Sequence, residues 1–365
     1  MKNLLLALTL VITASPAFAS RARLESLGEG KNGSYYIHDS RNMFLNPAVI
    51  SKYKKKLMIE VGSTTTSSSS ADSSASPSAQ GGFTNTFGDF TYAVYLNNYS
   101  DTMAAAADCD FNNDGDCTDP GEATFTGIAP QNAVEIQFAG EGSVNWGLGL
   151  TTGGNKQGDL SSSYWGVRAG IEKDALAVFT TVGLTSSIKS GATEVLKGKL
   201  RLDLGATYGM DDMTVFGKFS TSTNDVDQGA GAFETNSTSF GAGLGWNKEM
   251  TKSTHMFTRV EADYATAKSA GATTSKSYLV PVVLGAETQA LSWLAIRGSL
   301  THALLGQTNT GLNNTTAGQT SVAAGVGMTF GDVTIDGLVA NNAAAANRFG
   351  FGDGMLGRIS MNYNF

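Results

Sequence analysis

Two cysteines, six prolines and three histidines are all that the 365 residues hold of those types. So few cysteines exclude a disulfide-dense scaffold. His38, His255 and His302 sit on separate segments, so no metal-ligand spacing joins them. Beyond residue 20 no stretch approaches the roughly 20 apolar residues that a membrane helix needs. Charged residues make up only 16% of the chain and the net charge is −7, so nucleic acid is not the expected partner. There is no Gly-x-Ser-x-Gly elbow. The glycine-rich run 241–245 lacks the Lys-Ser/Thr that would make it a phosphate loop, and reads instead as a strand with one small-residue face. Nothing assembles a catalytic centre, so no enzyme is expected.

The chain does contain much glycine, 44 residues, and an apolar fraction of 41% that is spread thinly. Apolar and polar residues alternate, so each segment has one greasy and one wet face, as side chains do along a strand. Val322, Ala324, Val326, Met328 and Phe330 oppose Ser321, Gly325, Gly327 and Thr329. Leu196, Leu200, Leu202 and Leu204 oppose Lys197, Lys199, Arg201 and Asp203, and the last strand sets Ile359, Met361, Tyr363 and Phe365 against Arg358, Ser360, Asn362 and Asn364. The pattern recurs over residues 57–365 and predicts an all-β fold, an antiparallel transmembrane β-barrel of about sixteen strands with fourteen as the lower count.

Connections alternate in length. Short ones carry turn residues at Gly88-Asp89, Glu172-Lys173-Asp174, Met210-Asp211-Asp212 and Gly331-Asp332. Long polar ones cover 64–80, 101–130, 153–159, 223–235, 268–276, 306–319 and 341–352. Short turns on one side and long loops on the other are the habit of such barrels. Aromatics at strand ends, among them Phe90, Trp146, Tyr164, Trp165, Tyr208, Trp246, Trp293 and Phe330, suit interfacial girdles. Lys2, the apolar core 4–12 and Ala17-Phe18-Ala19 before Ser20 have the three parts of a signal peptide over 1–19. Residues 20–56 lie between signal and barrel and read as a short plug or periplasmic segment. It holds a helical turn or two near Arg21 and ends in a basic run at 52–56 whose simplest reading is a solvated flank.

Two places could carry chemistry. Asp110, Asn112, Asp114 and Asp116 with Gly115 match the opening of an EF-hand loop, whose alternating oxygens suit Ca2+. Position 12 is Gly121 rather than an acid, with Glu122 one residue late, so a loop-only calcium site and a plain acidic loop both remain open. Cys109 and Cys117 bracket that loop and are expected to form a disulfide. The second place is the lumen. Arg168, Lys197, Lys199, Arg201, Lys218, Arg259, Arg297 and Arg358 fall on predicted inner faces, as do Glu261, Asp263 and Asp336. They are read either as opposed rows that sort solutes or as salt bridges that hold shape.

The terminal strand with Tyr363 and Phe365 resembles the sorting signal of Gram-negative outer-membrane porins. That resemblance implies an outer-membrane location, outer-membrane lipid and lipopolysaccharide around the barrel, the barrel-assembly machinery as a partner, and small hydrophilic solutes diffusing passively; it leaves a homo-oligomer open. The stretch Asp39-Ser40-Arg41-Asn42-Met43-Phe44-Leu45-Asn46-Pro47-Ala48 resembles the plug-to-barrel segment of the long-chain fatty-acid transporter family. It implies an N-terminal plug and, as the alternative function, transport of hydrophobic compounds. That family's barrel has fourteen strands and a more apolar lumen, and here the sequence departs from it. A structural or adhesive surface barrel is a third reading.

Overall fold

A computed structural model describes residues 20–63, 77–98, 133–227, 232–269, 274–309, 314–316, 320–341 and 355–365. The chain enters through a helical turn, α1 (Arg21–Ser26), and two 3-10 turns at Ser40–Phe44 and Pro47–Lys52. Strands follow: β1 (Lys56–Ser63), β2 (Pro77–Phe87), β3 (Phe90–Leu96), β4 (Val134–Gly140), β5 (Asn145–Gln157), β6 (Leu160–Lys173), β7 (Leu176–Ser190), β8 (Thr193–Met210) and β9 (Met213–Asp227). The remainder are β10 (Ala232–Thr251), β11 (Thr254–Ser269), β12 (Ser275–Leu291), β13 (Leu294–Asn309), β14 (Asn314–Thr316), β15 (Thr320–Phe330), β16 (Val333–Asn341) and β17 (Met355–Asn364).

Apart from β14, every strand pairs antiparallel with its neighbours along the chain. β17 returns to β1, from Lys56↔Asn364 to Gly62↔Arg358, and closes the ring. β14 is a three-residue strand that pairs only with the far end of β13, while β13 and β15 pair directly below it. The wall is therefore sixteen strands, and the expected barrel is the observed one. Closure leaves no strand edge, which is what allows strands to cross a membrane.

The outward rows are apolar and exposed: Ile59, Leu148, Leu204, Leu244, Leu284, Ile296, Val326, Val339 and Ile359 all stand on the outside of the ring. A continuous apolar belt round a closed barrel is a surface made for lipid. Aromatics rim the belt at the end where the turns lie, with Phe90 against Trp146 and Trp293 against Phe330, and again higher up where Phe240 meets Tyr264. Tyr164 departs from the girdle expectation: it faces inward and is buried, because its parity is that of Arg168 rather than of Trp165.

Seven two- to four-residue turns gather at one end, and Gly88, Asp174, Asp211 and Gly331 take the positive φ that tight hairpins need. The other end departs from the expected rhythm. Residues 153–159 do not form a long loop; β5 and β6 run on to a two-residue turn at Gly158-Asp159, and β7 and β8 likewise to Gly191-Ala192. Strands there far outlast a bilayer. The 20 residues of β10 extend ~68 Å at roughly 3.4 Å per residue. The wall from β7 to β12 thus rises well past the apolar belt.

Candidate functional site: a plugged lumen

The candidate functional site is the lumen and the segment that enters it. Residues 20–56 lie inside the ring at the turn end, and their side chains are largely buried. Local sequence explains their form. The Ser20 hydroxyl accepts from the Arg23 N–H to cap α1, and the Asp39 carboxylate accepts from the Arg41 N–H to cap the first 3-10 turn. In Asn46-Pro47-Ala48 each residue has a task. Asn46 accepts from the Ala48 N–H at 3.0 Å, and Pro47 opens the second 3-10 turn, where its missing N–H costs nothing. Ala48 lies against Gly147 of β5, where any side chain on the wall would collide with it.

Such footprints recur round the wall. Gly170 receives Asn46, Gly245 receives Tyr36, Gly285 receives Leu27, and Gly325 receives Ser26. Where the plug docks, the inner faces of the strands combine these small residues with buried polar and charged ones. Apolar contacts complete the seat. Met43, Phe44 and Ile50 pack on Met58, Ala93, Tyr95 and Ala139, while Leu24, Leu27, Tyr36 and Ile37 pack on Phe257.

The predicted lumenal charges mostly hold this segment or brace its seat. Arg297 bridges Glu287 and Asp336 across three strands, and Arg23 of the plug reaches Glu287 at 2.9 Å and Asp39 at 3.1 Å. The Ser20 hydroxyl donates to Asp336 at 2.7 Å. Arg358 pairs with Glu25 at 2.9 Å, and Arg259 sits between Glu29 and Glu261. Arg168 pairs with Glu135 and donates to the Phe44 carbonyl. Burial pushes the Glu29 and Asp39 carboxyls up, and the guanidiniums of Arg259 and Arg23 pull them back. The basic run at 52–56 is not merely a solvated flank. Lys52 pairs with Glu172, Lys54 with Glu141, and Lys56 turns inward to donate to the Ser40 hydroxyl.

Above the plug, Arg201 pairs with Asp203 at 2.9 Å, and Lys218 lies between Glu261 and Asp263. Lys197 and Lys199 were expected beside them and are not there. β8 carries a bulge at Lys199, between Gly198↔Asn224 and Leu200↔Thr223. One extra residue inverts the faces beyond it. Leu196 turns inward onto Ile188 and Val226. Lys197 turns outward, and Lys199 bonds Asp225 and Glu234 on the outer wall. Tyr363 and Phe365 lie at the turn end with tilted rings 6.1 Å apart, and the Phe365 N–H donates to the Lys55 carbonyl. Asp110, Asn112, Asp114, Asp116, Glu122, Cys109 and Cys117 lie outside the described residues.

The sequence reading missed the groups that the plug itself brings: Arg23, Glu25, Glu29, Tyr35 and Arg41. Their signal was the density of charge and aromatics in a short segment ahead of the first strand. Arg41 is the most enclosed of them, 1% exposed. Its guanidinium donates to Glu60 at 2.7 Å, to the Tyr95 hydroxyl and to the Lys31 carbonyl, and its plane lies 4.4 Å from the Phe44 ring centre.

No protein-family model and no curated protein matches the chain in sequence. Among solved structures, a loop-deletion form of the Vibrio cholerae outer-membrane protein OmpT aligns at 10% identity and TM-score 0.40, over 85% of this chain and 97% of that one. The CymD monoaromatic hydrocarbon channel aligns at 11% identity and TM-score 0.40, over 96% and 98% of the two chains. The outer-membrane channel DcaP of Acinetobacter baumannii aligns at 11% identity and TM-score 0.40, over 85% and 95%. Likenesses this distant say nothing of a solute. The closed sixteen-strand ring and its lipid-facing belt make the protein a transmembrane barrel of the outer-membrane type.

Proposed function

We propose that the protein is an outer-membrane channel through which small hydrophilic solutes diffuse passively around a resident N-terminal plug. One observation carries this reading. The lumen left beside the plug carries charge: a cavity of about 460 Å³ there is lined by Arg168, Arg201, Asp203 and Lys218 together with Tyr35, Leu45 and Phe179. Ionised groups in a wide barrel are stable where they meet water or each other, and such a lining favours polar cargo. A non-catalytic role agrees with it. The calcium loop and its disulfide belong to the same proposal and rest on residue spacing alone.

The presence of the plug favours a second reading, a gated transporter of hydrophobic compounds, because an open pore needs no occupant. Liposome swelling separates the two. With the protein reconstituted, sugars and amino acids should enter at rates that fall with solute size and do not saturate. No swelling, together with saturable uptake of a hydrophobic fluorescent probe, would replace the channel with the transporter.

A further inference from the structure

The helical turns of the plug pack on β3–β6 at one side and on β13 and β15–β17 at the other. Between them, along β7–β9, two cavities remain. The lower one, about 380 Å³, lies at the turn end among His38, Lys52, Glu172, Ala177, Thr207 and Thr214. The upper one is the cavity of about 460 Å³ that holds Arg201 and Lys218. Tyr35, Leu45 and Phe179 line both, so the two spaces adjoin across these three side chains.

Tyr35 is the piece that fills the gap. Its ring stacks on Phe216 of β9 with centroids 5.0 Å apart and planes 23° from parallel, and lies 5.8 Å from Phe179 of β7. Gly205 of β8 is what lets the Phe179 ring lie against the wall there. Tyr35 is half-buried, whereas Ser34, Tyr36 and Ile37 beside it are buried. Its neighbours are anchored, Tyr36 on Gly245 and Ile37 in an apolar cluster, so the backbone is held while the ring projects into the seam. Burial, with the Glu261 and Asp203 carboxylates, pushes the phenol up and keeps the ring neutral.

We infer that Tyr35 is the gate of the channel: its side chain, not the plug backbone, separates the two cavities and sets the cross-section that can pass. A ring can turn on its side-chain torsions far faster than a plug can leave a seat made of buried ion pairs. The chambers on either side carry both signs of charge, Arg201, Lys218 and Asp203 above and Lys52, Glu172 and Asp174 below. The solute class is therefore small polar molecules, zwitterions among them, thin enough to pass an aromatic seam. The inference rests on the channel reading.

Single-channel recording in planar bilayers tests it on the full chain. Tyr35→Ala should raise conductance several-fold over wild type and admit larger sugars into liposomes, while Tyr35→Phe should match wild type. Thr207→Trp, on the wall of the lower cavity and away from the plug seat, should lower conductance several-fold. It decides the matter alone if Tyr35→Ala fails to assemble. A conducting wild type whose conductance neither Tyr35→Ala nor Thr207→Trp alters would overturn the gate and leave the channel standing. Silence from wild type and both variants would remove channel and gate together.

Discussion

Arg41→Ala should destabilise the plugged barrel by about 3–5 kcal/mol, the cost of leaving a buried charge without its partner. Glu60 is 2% exposed and reaches Arg41 at 2.7 Å. Without the guanidinium it keeps the Gln80 and Tyr95 donors and the Arg21 N–H, which are hydrogen bonds but not a countercharge. The Lys31 carbonyl and the Phe44 ring lose a partner in the same step. Because the pair joins the plug to β1, the loss should fall on docking first. Protease should then cut within residues 20–56 under conditions where wild type is spared, and the thermal transition in detergent should drop. Adding Glu60→Gln should recover much of the loss, since it removes the stranded charge. An unchanged transition with an uncut plug would show that apolar packing and the glycine footprints hold the segment without help from this pair.

Ile359→Arg should cost roughly 2–4 kcal/mol if the position lies near the bilayer midplane. Ile359 is 62% exposed on the outer face of β17, opposite Val61 on β1 and Gly337 on β16. The side chain has no protein to turn to and must bring its charge into hydrocarbon. Thr181→Arg is the matched comparison, because Thr181 faces the upper cavity where a new charge meets water. Heat-modifiable gel mobility and membrane yield should collapse for the first variant and survive in the second. Equal yields for both would mean that the apolar belt does not face lipid.

The barrel was legible because its signal is repeated. Each strand alone is weak, but sixteen alternating rows leave little freedom, and all sixteen wall strands fall where those rows predict. Facing failed where the period broke. The bulge at Lys199 has no mark in the local sequence, since Lys197, Lys199 and Arg201 alternate as an unbroken strand would. The turns at Gly158-Asp159 and Gly191-Ala192 were hidden for a different reason. Above the membrane both faces of a strand meet water, so alternation fades and polar strand resembles loop. Residues 20–56 read in sequence as a segment apart from the strands, a plug or a periplasmic stretch, but their partners were not legible. Arg358 and Glu25 lie 333 residues apart, and no local pattern pairs them. Arg168, Arg201, Lys218, Arg259, Arg297 and Arg358 point inward as the alternation predicts, Lys197 and Lys199 do not, and the contacts with an occupant follow only from where that occupant sits.

The central claim is that solutes pass beside a plug that stays in place, and a reversible lock tests it most directly. Ala22 of α1 donates its N–H to the Ser360 hydroxyl of β17 at 3.4 Å, a contact between plug and wall that involves no footprint glycine. Ala22→Cys with Ser360→Cys, built on a background with Cys109→Ser and Cys117→Ser, should join plug to wall on oxidation. Single-channel conductance should then be the same before oxidation, after it and after reduction. Conductance that disappears when the bond forms and returns when it is reduced would contradict the account, because the plug would have to leave its seat for anything to pass.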